Sequence, residues 1–131
     1  MHRILQPAGW KRPVGYANGM TARGRMVFVA GQVGWDGEQR FASEDFIDQV
    51  GQALRNVVAV LEEGDARPEH IARMTWYILD RDEFNTRLAE IGPVYREILG
   101  PVFPAMSVVQ VGALLDPVAK VEIEVTAVVP D

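Results

Sequence analysis

Residues 103–129, FPAMSVVQVGALLDPVAKVEIEVTAVV, decide the fold, because they hold the most regular strand pattern in the chain. In their last part every second residue is polar (Lys120, Glu122, Glu124 and Thr126), and the residues between them are apolar. A period of two is typical of a strand with one packed face and one polar face. The polar face needs water, partners or a ligand.

The first part of the same stretch predicts a second strand. Pro101 and Pro104 cannot donate a ladder hydrogen bond, so pairing should begin after them. We therefore expect Ala105-Met106-Ser107 to lie near a sheet edge. The two strands should form a hairpin around a turn at Asp116-Pro117.

Length and composition narrow the class of protein. The chain has 131 residues, which favours a single domain over residues 1–131. It has no cysteine, which excludes disulfides, thiol nucleophiles and thiolate metal sites. With only two histidines, a histidine-based zinc site or catalytic triad is not expected, and we predict no metal site.

The expected partners are small molecules and copies of the chain itself. A net charge of −5 argues against binding to nucleic acid or to an anionic membrane, since phosphate contacts need clustered Lys and Arg. The N-terminal residues lack the apolar run of a signal peptide, and no stretch approaches transmembrane length. The expected location is the cytoplasm.

The clearest local prediction is a first helix that starts after Ser43 and ends at Gly64. A second helix should start at Asp80, where Asp80 and Glu83 are spaced like a capping box. The pair Gly92-Pro93 should kink this helix or leave its first turn loosely attached. Both helices carry an apolar stripe at helical spacing.

Strands are predicted before, between and after these helices. Arg3-Ile4-Leu5 suits a short edge strand, and residues 16–21 suit a strand that leads into a hairpin turn at residues 22–25. The apolar run at residues 26–30 suits a central strand covered on both faces. Residues 71–79 alternate as a further strand.

These elements predict an α+β two-layer sandwich, with two helices on one face of a single mixed sheet. The other face of the sheet would then be uncovered in an isolated subunit. Oligomerisation is the usual way to cover such a face.

Four segments together resemble the reactive intermediate deaminase family, RidA, also called YjgF. They are Gly15-Tyr16, residues 27–32 (VFVAGQ), the FPA-x-S pattern at residues 103–107 and the VEIEV pattern at residues 121–125. The resemblance covers nearly the whole chain, with the elements in the same order.

The resemblance implies a chorismate-mutase-like fold. It also implies a homotrimer with a central barrel of sheets, helices outside and a ligand cleft at each subunit interface. Active members hydrolyse 2-imino acids, or their enamine tautomers, to 2-oxo acids and ammonia, without a cofactor or metal.

The chain departs from the family pattern at several positions of the ligand site. The Arg between Ala and Ser of FPA-x-S, which holds the substrate carboxylate, is here Met106. The family's Ser before Gly-Gln is here Ala30, and the Cys that often follows FPARS is here Val108. By a less certain alignment, the Asn of the second helix is here Gly92.

Part of the family's site is retained in this chain, namely Tyr16, Glu122 and the backbone of Gly31-Gln32. Glu122 suits a base that deprotonates or holds water, and Tyr16 suits a donor to the departing nitrogen. Loss of the Arg fork should weaken imino-acid binding by about one to two decades. Met106 makes the pocket more apolar, which favours a neutral or aromatic ligand.

Other readings stay open for several residues. Trp10 and Arg12, in a loop with Lys11, are candidate substrate-binding residues. A solvated loop is the preferred reading of Lys11 and Arg12, and Trp10 suits a core or interface anchor better than a ligand contact. Lys120 suits a structural ion pair better than a ligand contact. Tyr16 would also suit a packed interface aromatic, and Glu122 an acceptor for backbone amides, with function and structure about even.

Two functions of different classes follow. The leading hypothesis is a deaminase or hydrolase that acts on an enamine or imine other than a classical 2-imino acid, through Tyr16 and Glu122. The alternative is a noncatalytic ligand-binding or protein-interaction trimer whose cleft is apolar. Ribonuclease activity, assigned to some family members, is a weaker third idea, since the chain is acidic.

Overall fold

A four-stranded mixed sheet with helices on one face forms the centre of the molecule. The computed structural model describes residues 2–131. The strands are β1 (Arg3–Leu5), β2 (Gly19–Thr21), β3 (Arg25–Val33), β4 (Ile71–Ile78), β5 (Ala105–Gln110) and β6 (Val121–Val129). The helices are α1 (Phe46–Glu63), α2 (Arg81–Thr86) and α3 (Leu88–Leu99), and a 3₁₀ turn spans Pro68–His70.

The strand with the regular alternation lies inside the sheet, as its pattern predicted. The order is β3-β6-β4-β5, with β6 antiparallel to both neighbours and β4 parallel to β5. Along β6, Val121, Ile123 and Val125 are buried, whereas Glu122 and Glu124 are half-buried on the opposite face. This confirms an α+β fold with a mixed sheet.

The predicted hairpin of the last third is wrong. β5 and β6 are not paired, because β4 lies between them and hydrogen-bonds to both. The ten residues between these strands, 111–120, are enough to cross over β4. β5 is an edge strand that begins at Ala105, so the predicted position of residues 105–107 is confirmed.

The predictions for the N-terminal third need two corrections. β2 pairs with β1 in a separate two-stranded ribbon, so residues 22–25 do not close a hairpin with β3. β3 is an edge strand and not a central one, and only one of its faces is covered. Met26 and Phe28 are 55% and 70% exposed.

α1 begins and ends as a capped amphipathic helix. Its N-cap is Asp45, whose carboxylate accepts hydrogen bonds from the backbone N–H groups of Ile47 (3.1 Å) and Asp48 (3.2 Å). The predicted cap, Ser43, lies two residues earlier, and its hydroxyl accepts from the Asp45 N–H instead. Gly64 is the C-terminal cap, as predicted.

The predicted second helix is two helices, so residues 2–131 form three α-helices. Asp80 is the N-cap of α2, as predicted, and accepts from the N–H groups of residues 82 and 83. The break falls at Arg87, and Pro93 lies inside α3 without ending it. The guanidinium of Arg87 binds Asp45 (2.7 Å) and Glu90 (2.8 Å). The ion pair with Asp45 holds the junction of α2 and α3 against the start of α1.

Candidate functional site

An apolar groove runs between the loop at Tyr16, helix α3 and strand β5. It has a volume of about 410 Å³, within the usual range of about 300–1,000 Å³ for small-molecule sites. We call this cavity the groove. Its walls include the side chains of Tyr16, Trp76, Tyr95, Arg96, Phe103 and Met106, with Gly92 at its helix side.

The Tyr16 loop is held against the start of β5 by backbone contacts. Ala17 donates to the carbonyl of Pro104 (2.9 Å) and forms a parallel bridge with Ala105. Pro104 cannot donate a ladder bond but still accepts one. Tyr16 is thereby placed on the groove with 40% of its surface exposed.

Aromatic rings form the floor and one wall of the groove. Tyr95 stacks on Phe103, with ring centres 6.1 Å apart and planes 8° apart, and Trp76 meets Phe84 edge to face. Burial raises the pKa of Tyr95, whose hydroxyl donates to the carbonyl of Val102 (2.6 Å). Tyr95 is therefore a neutral structural residue at physiological pH.

Met106 and Val108 complete the strand wall. In the register of the parallel pair they lie beside Met74 and Trp76, which face the helices. Both pack against the core. The side chain at position 106 therefore contributes a thioether and no charge to the groove.

Glu122 lies on the other face of the sheet, next to Gly31. The register of β3 against β6 shifts between Val29 and Gln32, which leaves Ala30 and Gly31 in a bulge. A Cβ built on Gly31 would collide with the Glu122 carboxylate. The absence of a side chain at residue 31 is thus what makes room for Glu122.

A polar trough of about 610 Å³ extends along this open face. Its lining includes Phe28, Ala30, Arg73, Thr75 and Glu124. Just beyond it, the Tyr77 hydroxyl donates to Glu124 (2.6 Å), and this hydrogen bond to a carboxylate raises the pKa of Tyr77. The open face is thus polar and acidic in its middle, with an exposed Phe at its edge.

The structure divides the predicted site residues into three groups. Tyr16, Met106 and Val108 line the groove. Ala30, Gly31, Gln32 and Glu122 lie at the bulge of β3 on or next to the open face, where the Gln32 amide donates to the Ala30 carbonyl. Trp10 and Arg12 are exposed in the N-terminal loop and line neither cavity.

Within one subunit, therefore, Tyr16 and Glu122 do not converge. Tyr16 shares the groove with Trp76, whereas Glu122 is in register with Tyr77, the next residue of β4. Successive residues of a strand point to opposite faces of the sheet. The two predicted catalytic residues consequently lie on opposite sides of it.

Sequence reasoning missed Arg96, Tyr95 and Phe103 as groove residues. The helical spacing of apolar residues predicts a core face for this helix but does not identify a ligand site on it. A signal for Arg96 was available, because Gly92 and Arg96 are four residues apart and share one face of a helix.

Two features define the class of protein. One is a mixed sheet with a bulged edge strand and helices on one face, and the other is an apolar groove at a sheet edge. The family profile described as endoribonuclease L-PSP matches residues 10–129. The chain belongs to this family, which includes the RidA and RutC proteins.

Named relatives agree with this assignment. The chain is 36% identical over 118 residues to a RutC family protein of Aquifex aeolicus, covering 88% of this chain and 90% of that protein. It is 34% identical over 105 residues to the 2-iminobutanoate/2-iminopropanoate deaminase of Salmonella typhimurium, covering 80% of each.

Solved structures show the same fold. The Rid-family protein YyfB of Yersinia pestis superposes with a TM-score of 0.87 at 28% identity, covering 98% of each chain. TdcF of E. coli, solved with bound serine, gives a TM-score of 0.67 at 29% identity, covering 96% of this chain and 98% of that one.

Residues 2–131 contain neither a membrane-spanning helix nor a candidate metal-binding group. No helix within residues 2–131 combines the length and apolar character needed to cross a bilayer. In the same part of the chain, His, Asp and Glu side chains form no group of three or more that could hold a metal ion.

Proposed function

We propose that the protein is a cofactor-free deaminase or hydrolase for an imine or enamine other than a classical 2-imino acid. It would work as a homotrimer with a site at each subunit interface. The observation that carries this proposal is the apolar groove, whose strand wall presents Met106 where active members of the family present an arginine. An apolar wall favours the burial of a larger apolar substituent.

The proposed site combines groups from two subunits. Because one subunit holds Tyr16 and Glu122 on opposite faces of its sheet, only a site between copies brings them to one ligand. The exposed Phe28 and the trough beside it leave the open face free for such a contact. Closed symmetric assembly is the usual solution for a face of this kind.

The reaction adds water across a C=N bond. Glu122 takes a proton from the water as its oxygen attacks the carbon, and Tyr16 donates a proton to the nitrogen. In the resulting carbinolamine, Glu122 returns its proton to the amine nitrogen and the Tyr16 phenolate takes the hydroxyl proton. Ammonia then leaves as the carbonyl forms, and both side chains regain their starting protonation states. Imines react readily with water, so placement of the water supplies much of the rate.

The test is the rate of 2-iminobutanoate hydrolysis by the wild type, Met106→Arg and the uncharged control Met106→Leu. We expect activity in the Arg variant at least about tenfold above both others, because the fork restores carboxylate binding. Glu122→Gln in the Met106→Arg background should remove the gain. A gain that survives Glu122→Gln would overturn the mechanism.

The alternative proposal is a noncatalytic ligand-binding or protein-interaction trimer. The separation of Tyr16 from Glu122 within a subunit favours it. It predicts that a ligand is recovered unchanged after prolonged incubation with the protein, and that Met106→Arg gains no turnover. Mass spectrometry of the incubated ligand separates this alternative from the deaminase.

A further inference from the structure

The groove contains one cation, Arg96 of α3. A Cβ built on Gly92 would lie 3.7 Å from Nη1 and 3.9 Å from Nη2 of Arg96, so the guanidinium lies over a residue without a side chain. The other groove side chains are apolar or aromatic, including Trp76, Phe103 and Met106. The absence of a side chain at Gly92 keeps the groove open beside the charge.

Arg96 has no counter-ion within residues 2–131. Its guanidinium makes none of the ion pairs or side-chain hydrogen bonds found among residues 2–131. Its helix neighbours three and four residues away are Gly92, Pro93, Leu99 and Gly100, none of which is acidic. The charge is therefore free to pair with a ligand.

Arg87 shows what an arginine with a structural role looks like in this chain. Its guanidinium binds Asp45 at 2.7 Å and Glu90 at 2.8 Å, and its side chain is 28% exposed. Arg96, by contrast, is exposed and unpaired, although it also lies in the last turn of a helix, where a cation suits the dipole. The dipole alone does not explain its position on the groove.

A second unpaired donor lies on strand β4, in a buried residue beneath the groove. Trp76 lines the groove, and its indole N–H is buried with no acceptor among residues 2–131. Buried donors are normally paired, because an unpaired one costs free energy. The lining of the groove includes the Arg96 guanidinium and no carboxylate, so an occupant with acceptor oxygens would suit it.

We propose that the groove binds a monocarboxylate with an aromatic or branched apolar body, whose carboxylate pairs with Arg96. The apolar body would lie against Met106 and Phe103. The inference rests on the proposed function and deepens it, since it names the substrate class of the same groove. The cation is on the helix wall and not at residue 106. The carboxylate of this ligand would therefore bind at a different place in the groove from the carboxylate of a 2-imino acid.

The test is calorimetric binding of 3-phenylpropanoate and of its neutral amide to the full-length protein. We expect Arg96→Gln to weaken the acid roughly tenfold to hundredfold and to leave the amide unchanged. Gly92→Leu should weaken both ligands, because it fills the groove. Circular dichroism checks that each variant is folded.

Arg55 supplies a matched control. It also lies over a glycine four residues earlier, Gly51, but it lines a different cavity with Asp36 and Asp48. Arg55→Gln should leave binding of the acid unchanged. The proposal is overturned if the wild type binds neither ligand, if Arg96→Gln leaves the acid unaffected, or if Arg55→Gln weakens the acid equally.

The outcome is separable from the deaminase proposal, because these ligands contain no C=N bond. A protein that binds the acid through Arg96 yet hydrolyses no imine keeps this inference and loses the deaminase. A protein that hydrolyses imines without any Arg96 dependence in binding the acid does the reverse.

Discussion

The two faces of the central sheet differ in how completely one subunit uses them. On the helix face, Met74, Ile123 and Ala127 are fully buried beneath α1 and α3. On the open face, Phe28 is 70% exposed beside a polar trough. One face is the core of the subunit, and the other has the composition of a surface that is completed by something else.

The two faces should therefore control different properties: the helix face the folding of a single chain, and the open face the assembly of several copies. A change on the helix face should act on the unfolding of a single chain. A change on the open face should leave the chain folded and act on assembly. The following measurements test this separation.

The largest expected effect is on the helix face. Leu54→Ala empties a fully buried position of α1 and should cost about 3 kcal/mol of unfolding free energy. Val60→Ala, on the same helix but 38% exposed, is the control and should cost less than about 1 kcal/mol. Urea denaturation measures both, and equal losses would contradict the assignment of the core to this face.

The next effect concerns the open face. Phe28→Ser should leave the unfolding of the subunit nearly unchanged and raise the dissociation constant of the assembly by about tenfold or more, because a Phe buried between copies contributes about 1.5–3 kcal/mol. Analytical ultracentrifugation measures it. The control is Leu115→Ser, an exposed apolar residue of the loop between β5 and β6. An unchanged assembly would remove the open face as the subunit interface.

The helix face was also the part that sequence reasoning could predict. Its signals are local: the apolar stripe of α1, the caps Gly64 and Asp80, and the period-two pattern of β6. Each depends on residues within one or two turns of each other. Only the exact cap of α1 and the break at Arg87 were missed.

The errors in the sheet concern pairing between distant segments. The pattern of residues 105–110 and 121–129 predicts two strands but does not say that β4 lies between them. For the same reason residues 26–30 were taken as a central strand, although β3 is at an edge. An apolar run alone does not distinguish a covered strand from one whose second face meets another copy.

Only some residues of the candidate site could be predicted from the sequence, for a related reason. Position 106 was recognised from its motif, and the structure places it on the groove. Arg96 was missed because the groove forms only when α3 packs across β5. That Tyr16 and Glu122 lie on opposite faces follows from the register of β4 with β6, which no local pattern contains.

A smaller effect tests how α1 is attached to the helix layer. Asp45→Ala removes the N-cap of α1 and should cost about 1 kcal/mol, which lowers Tm by about 3–5 °C. Ser43→Ala is the control and should change Tm less, because its hydroxyl caps only the N–H of Asp45 itself. Differential scanning calorimetry measures both. A larger loss for Ser43→Ala would make Ser43 the functional cap.

The smallest expected effect is on how the stability that Asp45 provides changes with pH. The hydrogen bond from Arg87 lowers the pKa of Asp45 below its ordinary value, so the unfolded chain binds this proton more tightly than the folded one. The stabilisation is therefore present at neutral pH and is lost as the pH falls below about 4. Asp45→Asn keeps a cap acceptor but cannot titrate.

We expect Asp45→Asn to be less stable than the wild type by up to about 1 kcal/mol at pH 7, since partly exposed ion pairs are weak. The gap should narrow as the pH falls below about 4, where the carboxylate of the unfolded chain takes up its proton while that of the folded chain still resists protonation. Urea midpoints from pH 3 to pH 7 measure it. A gap that is constant over this range would mean that cap geometry, and not the charge pair with Arg87, holds α1 on the helix face.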